Sequence, residues 1–217
     1  MTTVVEREPS AFEIQFASRA QQEHAATFGM WVFLATELVF FGPLFVAYAY
    51  GRLHWGEAFA VASRHTDVVL GSINTALLLT SSTLVALAAI AAKSELRKIM
   101  RYLLAATVAL GIVFLVIKGF EYHAEWREGL VPGNGFHIEG TAQGEAQLFF
   151  FLYFMMTGVH AIHITVGIGL LSAFALRGMD ANFARADRIE IAALYWHFVD
   201  MVWIFLYPLL YLVERHS

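Results

Sequence analysis

The chain has 217 residues, of which 59% are hydrophobic and only 15% charged, with a mean hydropathy of +0.60; this balance excludes an ordinary soluble domain. A formal net charge of −4 gives no electrostatic reason to bind nucleic acid. The absence of cysteine removes disulfides, thiolate metal sites and cysteine nucleophiles, and leaves the compartment open.

Residues 1–27 carry Glu6, Glu8, Glu13 and Glu23 and no short apolar core, so they do not read as a cleavable signal peptide. They are expected to form a cytoplasmic segment ahead of a first span that serves as its own insertion signal. Five apolar runs follow, at 28–50, 68–92, 102–122, 148–176 and 191–213. Each is near or above the about 20 residues that cross a bilayer core as a helix. Between the third and fourth, residues 124–146 hold Glu125, Glu128, Glu139 and Glu145 with Pro132-Gly133-Asn134-Gly135, which predicts an irregular outer loop. A tail at 214–217 closes the chain. The expected fold is all-α: a polytopic membrane protein with a single five-helix domain over 28–213.

Lysine and arginine concentrate on the cytoplasmic side of membrane proteins. With the N-terminus inside, nine fall on inner segments and five on or near outer ones, and the 93–101 turn (Lys93, Arg97, Lys98, Arg101) is the strongest single vote. The expected orientation is N-terminus cytoplasmic, C-terminus periplasmic.

Ionisable groups inside hydrocarbon cost about 2.5 kcal/mol or more at a helix centre, so they face protein or a cavity. Here they are Glu37 in the first run, Lys118 and Glu121 in the third, His160 and His163 in the fourth, and His197 and Asp200 in the fifth. At about 1.5 Å rise per residue, Glu37, Asp200 and the two fourth-run histidines fall in one layer near the midplane. Thr157, His160, His163 and Gly167 are expected on one helix face, with Gly158, Gly167 and Gly169 allowing close approach. His197 can touch Asp200, Lys118 can touch Glu121, and Asn74 shares a stripe with Ser81. Three readings of this layer stand. One is a metal site, although no Glu precedes either fourth-run histidine by three, as a ferritin-like site requires. Another is a proton relay, although broken helices are not obvious beyond Pro43 and Pro208. The favoured one is a hydrogen-bonded packing network whose carboxylates are paired with histidine or protonated. The aromatic residues at span ends, Tyr48 and Tyr211 among them, are expected mostly as interface anchors.

Local strings go further. The run from Gly29-Met30-Trp31 through Ala35-Thr36-Glu37 to Phe40-Phe41-Gly42 resembles the glutamate-bearing helix of cytochrome c oxidase subunit III. Gly71-Ser72-Ile73-Asn74 through Ser81-Ser82, Gly119-Phe120-Glu121-Tyr122, Thr157-Gly158-Val159-His160-Ala161-Ile162-His163 with Gly167, and Trp196-His197-Phe198-Val199-Asp200 through Tyr207 resemble later motifs of that family, in order.

The resemblance implies a non-redox subunit of a haem-copper terminal oxidase. It packs on catalytic subunit I, beside subunit II and a small subunit IV, supports proton uptake and sustained turnover, and binds phospholipid. Haem and copper are expected in the partner subunits, and no cofactor, metal or catalytic residue in this chain. Glu37, Glu121, His160, His163, His197 and Asp200 match the family's polar motif residues, and with Asn74 they are carried as a buried network. The chain lacks the two helices that open the seven-helix mitochondrial form and wall its lipid cleft. It resembles five-helix bacterial versions, which points to a bacterial inner membrane. Within the family, Ala35-Thr36-Glu37 resembles the cytochrome oxidase branch, and the alternatives are a ubiquinol oxidase subunit III or a nitric oxide reductase accessory protein. An alternative of another class is an independent proton carrier or metal enzyme. The first two spans are expected to face the partner, and Lys118 to look to another subunit for any partner missing within the chain.

Overall fold

The computed structural model describes residues 16, 18–180 and 183–212. The tail at 214–217 and most of the N-terminal segment lie outside these. Among the described residues there are six α-helices and no strand: α1 (Arg19–His54), α2 (Gly56–Arg64), α3 (Val68–Lys93), α4 (Arg97–Arg127), α5 (Gln143–Arg177) and α6 (Ala186–Tyr211). All but α2 are long and apolar enough to cross a membrane.

The helices overrun their apolar stretches. The α1 helix begins at Arg19, where the Ser18 side chain accepts the Gln21 N–H, and continues through Pro43 to His54. The α6 helix likewise continues through Pro208. The α3 helix starts where Asp67 Oδ1 accepts the N–H groups of Val69 and Leu70, satisfying donors that a first helical turn leaves bare.

Helices α3, α4, α5 and α6 form a ring in that order, α6 closing back on α3, while α1 lies outside against α5 and α6. Periodicity accounts for the ring. The buried residues of α4 are Met100, Leu104, Thr107, Gly111, Phe114, Lys118, Glu121 and Glu125, at alternating steps of four and three. Those of α3 run Gly71, Asn74, Leu78, Ser81, Val85 and Ala88 in the same rhythm. Such a stripe is the seam of left-handed helix packing.

Trp196 of α6 locks the ring at its centre. Its indole sits where a methyl on Gly167 of α5 would come within 2.8 Å and one on Gly111 of α4 within 2.9 Å. Its Nε1–H donates to Ser81 Oγ of α3 at 3.0 Å. Of the three glycines expected to permit close approach, only Gly167 does so, since Gly158 and Gly169 meet open space or a distant hydroxyl.

The nine-residue α2 has no counterpart among the five expected runs. It packs Phe59 edge-on against Tyr48 and Phe149. Together with α1 it caps the end of α6, whose last carbonyls have no partner within the helix. The Tyr48 hydroxyl donates to the Leu209 carbonyl, and Ser63 Oγ to that of Leu210. Tyr48 and Tyr211 are fully buried, so they are core residues and not interface anchors; Trp31, Tyr102 and Trp126 are exposed.

Candidate functional site

The polar residues do not form one network. They divide into a cage, a seam pair, a bridge and four side chains, His160, Asp200, Asn74 and Glu125, without a hydrogen-bond partner.

The cage belongs to the α4 stripe. Lys118 Nζ donates to Glu121 Oε2 at 3.0 Å, to Tyr153 Oη of α5 at 3.0 Å and to Tyr211 Oη of α6 at 2.7 Å. Both tyrosine hydroxyls donate onward to Glu121 Oε1, at 2.8 and 2.7 Å. The rings of Tyr122, Tyr153, Trp203 and Tyr211 lie 4.8–5.7 Å from the ammonium. An ammonium has three donors, and all three are used. The expected contact with Glu121 is present, and the ring satisfies Lys118 completely, so no partner is missing for another subunit to supply.

The seam pair lies between α1 and α5. Glu37 Oε2 stands 3.0 Å from His163 Nε2, with both side chains about one-sixth exposed, at 16% and 15%. His163 Nδ1 lies 2.8 Å from the Val159 carbonyl. A carbonyl only accepts, so Nδ1 carries the hydrogen and Nε2 is the site that exchanges. One proton then serves two atoms: it resides on Glu37 as a carboxylic acid donating to Nε2, or on Nε2 as an imidazolium donating to the carboxylate. His163 leaves the face expected for it. Three residues beyond His160 is about 60° short of a full turn, so the buried stripe passes through Thr157, His160, Ile164 and Gly167 while His163 turns to α1.

The bridge joins α3 and α6. His197 Nδ1 lies 2.7 Å from Ser82 Oγ, and not on Asp200 as the three-residue spacing suggests. Asp200 is buried, and neither of its carboxylate oxygens has a partner within hydrogen-bonding geometry. His160 is sealed between the Phe114 ring at 5.6 Å and the Trp203 ring at 5.1 Å, and neither of its nitrogens has a polar partner. Asn74 is buried with its amide unpartnered. The expected single layer thus separates because its members face different neighbours.

Glu125 falls in the stretch expected as an acidic loop, but α4 carries it. It continues the stripe one turn past Glu121, is 4% exposed, and neither of its oxygens has a hydrogen-bond partner. The four–three rhythm through Phe114, Lys118 and Glu121 is the signal that finds it. Among the described residues no group of three or more His, Asp or Glu side chains is placed to hold a metal ion. What the arrangement offers chemically is a proton shared at the Glu37–His163 seam.

Residues 12–214 match the family model described as cytochrome c oxidase subunit III. A cytochrome c oxidase subunit 3 of Thermostichus vulcanus is 31% identical over 191 residues, covering 86% of this chain and 87% of that protein. A probable quinol oxidase subunit 3 of Staphylococcus haemolyticus is 30% identical over 201 residues, covering 90% and 92%. A heme-copper oxidase subunit I+III of Aeropyrum pernix is 32% identical over 192 residues, which are 85% of this chain but only 22% of that longer protein.

Proposed function

The chain belongs to the cytochrome c oxidase subunit III family, and from that premise we propose that it is the non-redox subunit of a proton-pumping haem-copper terminal oxidase of the cytochrome c type. The observation that carries the reading is a family match over nearly the whole chain, joined to a relative named as subunits I and III in one protein. A single chain holding both implies that the two pack together, so catalytic subunit I is the first partner, with subunit II and a small subunit IV beyond it. Haem and copper then reside in those partners. The complex is an oxidoreductase, and this chain supplies structure and proton handling.

In this reading the membrane is a bacterial inner membrane and the end bearing Arg19, Lys93, Arg97 and Arg185 faces the cytoplasm. The face of α1 is the docking side. Phe28, Val39, Phe40 and Val46 are exposed there, and a methyl added at Gly29 or Gly42 meets nothing of this chain, so a partner helix approaches closely. Glu37 and His163, on the ring's α1 side, hold the exchangeable proton, while His197, Asp200, His160 and Asn74 pack the interior. The quinol branch is the second reading, favoured by the Staphylococcus relative.

Gentle detergent purification of the tagged chain, with an optical spectrum and subunit identification, tests the proposal. The expected result is a haem-containing complex with a large multi-span subunit and a copper-site subunit, whose haem types decide between the cytochrome and quinol branches. A chain that purifies alone, stable and colourless, contradicts it.

A further inference from the structure

The α6 helix keeps one arc of its surface open. Helices α1 and α3 both touch α6 and do not touch each other, so among the described residues nothing covers the surface between them. Leu194, His197, Met201, Ile204 and Pro208 line this arc at alternating steps of three and four, the first two half-buried and the others exposed. That spacing is the rhythm of a helix-packing seam. Apart from His197 the arc is apolar. His197 stands near the middle of the 26 residues of α6, about 17 Å from the start of the helix at about 1.5 Å per residue, and so at mid-depth in the hydrocarbon.

An imidazole has two nitrogens to satisfy. Nδ1 of His197 is bonded to Ser82 Oγ at 2.7 Å, which holds the ring between α3 and α6. Nε2 has no partner among the described residues, and unlike the sealed nitrogens of His160 it opens outward. Lipid chains offer it neither a donor nor an acceptor, and the bilayer core holds no water to do so. Polar groups at this depth face protein or a water-filled cavity. A second copy of this chain does not meet the need. In a two-fold pair both imidazoles present the same nitrogen in the same tautomer, so two N–H groups or two lone pairs would meet, with only apolar side chains around them.

We propose that this arc docks a transmembrane helix of a different chain, apolar along its length, which sets one hydroxyl or carboxamide side chain against His197 Nε2. Either group both donates and accepts, so it suits either tautomer of the ring. The arc lies beside the exposed face of α1 and extends it around the bundle as one continuous partner surface. The inference takes from the oxidase reading only that the chain works inside a complex.

The chain has no cysteine, so Met201→Cys takes a single nitroxide label. The labelled full-length chain is compared alone in nanodiscs and after being added back to the complex purified without it, reading mobility and collision with dissolved oxygen by electron paramagnetic resonance. Assembly is expected to immobilise the label at 201 and shield it from oxygen, and to leave unchanged a label at Val116→Cys, an exposed position on α4 across the ring. His197→Leu is expected to weaken re-association about threefold, the scale of one hydrogen bond between membrane helices. Met201→Trp is expected to weaken it by a larger factor through bulk, with the thermal unfolding midpoint of the isolated chain unchanged because residue 201 is exposed; it keeps the test open should His197→Leu fail to fold. A 201 label as open to oxygen in the complex as in the isolated chain overturns the proposal, as does re-association unchanged in both variants. Dipolar coupling between two 201 labels, the mark of a second copy, overturns it too. A chain that joins no complex contradicts this inference and the oxidase reading together, whereas an intact complex with an open 201 label contradicts this inference alone.

Discussion

The Lys118 cage and the Glu37–His163 seam both place a cation-forming group against a carboxylate at 3.0 Å, yet they are opposite devices. In the cage both partners are almost wholly buried, and every proton is pinned by a second acceptor. In the seam the pair is partly exposed and one proton serves two atoms. A saturated buried pair has no vacancy through which a proton moves, whereas an undersatisfied pair at a helix seam has one. Distance alone would rank the two alike; the count of donors and acceptors separates them.

Breaking the cage gives the largest expected effect. Lys118→Met leaves the buried Glu121 without its counter-charge and is expected to cost about 3–5 kcal/mol, seen as a large fall in the thermal unfolding midpoint in detergent or loss of folded yield. Adding Glu121→Leu to it is expected to restore much of that loss, because removing both charges leaves none unpaired. If the single variant unfolds no earlier than the parent, the cage is not structural.

Two variants sharpen the comparison within the ring. Gly167→Ala forces a methyl to within 2.8 Å of Trp196, an overpacking expected to cost about 1–3 kcal/mol. Trp196→Phe deletes the bond to Ser81 and is expected to cost about 1 kcal/mol. Thermal unfolding followed by circular dichroism reads both, and parental stability in the Gly167→Ala variant would mean that the ring is looser there than its geometry states.

The smallest expected change in stability comes from the seam. Glu37→Gln still bonds His163 Nε2 through its amide but carries no exchangeable proton, so stability stays within about 0.5 kcal/mol of the parent, as for a partly exposed site. In the assembled complex, proton uptake or the number of turnovers before inactivation is expected to fall. Unchanged uptake together with unchanged inactivation kinetics removes Glu37 from any proton-related role.

How much of this is legible in the sequence follows from what each signal measures. The five spans are legible because an apolar run of bilayer length fits little else than a membrane helix. The Lys118–Glu121 contact is legible because neighbours three apart on a helix meet whatever surrounds them. What lies across helices is not. Tyr153 and Tyr211 complete the cage, and Ser82 takes His197 from Asp200, only because the ring fixes how each helix is rotated. His163 misleads because a three-residue step falls at the edge of a stripe. Glu125 misleads because its acidic surroundings resemble a loop, and only the extended periodicity of α4 places it inside. The short α2 gives no signal, being too brief to show as an apolar run.

The most direct measurement of the central claim is to purify the oxidase with and without this chain, and to compare haem content and turnovers before inactivation. The account predicts the same haem per complex in both, and earlier inactivation without the chain, reversed when it is added back. Haem lost along with the chain, or turnover equally durable in its absence, would contradict it.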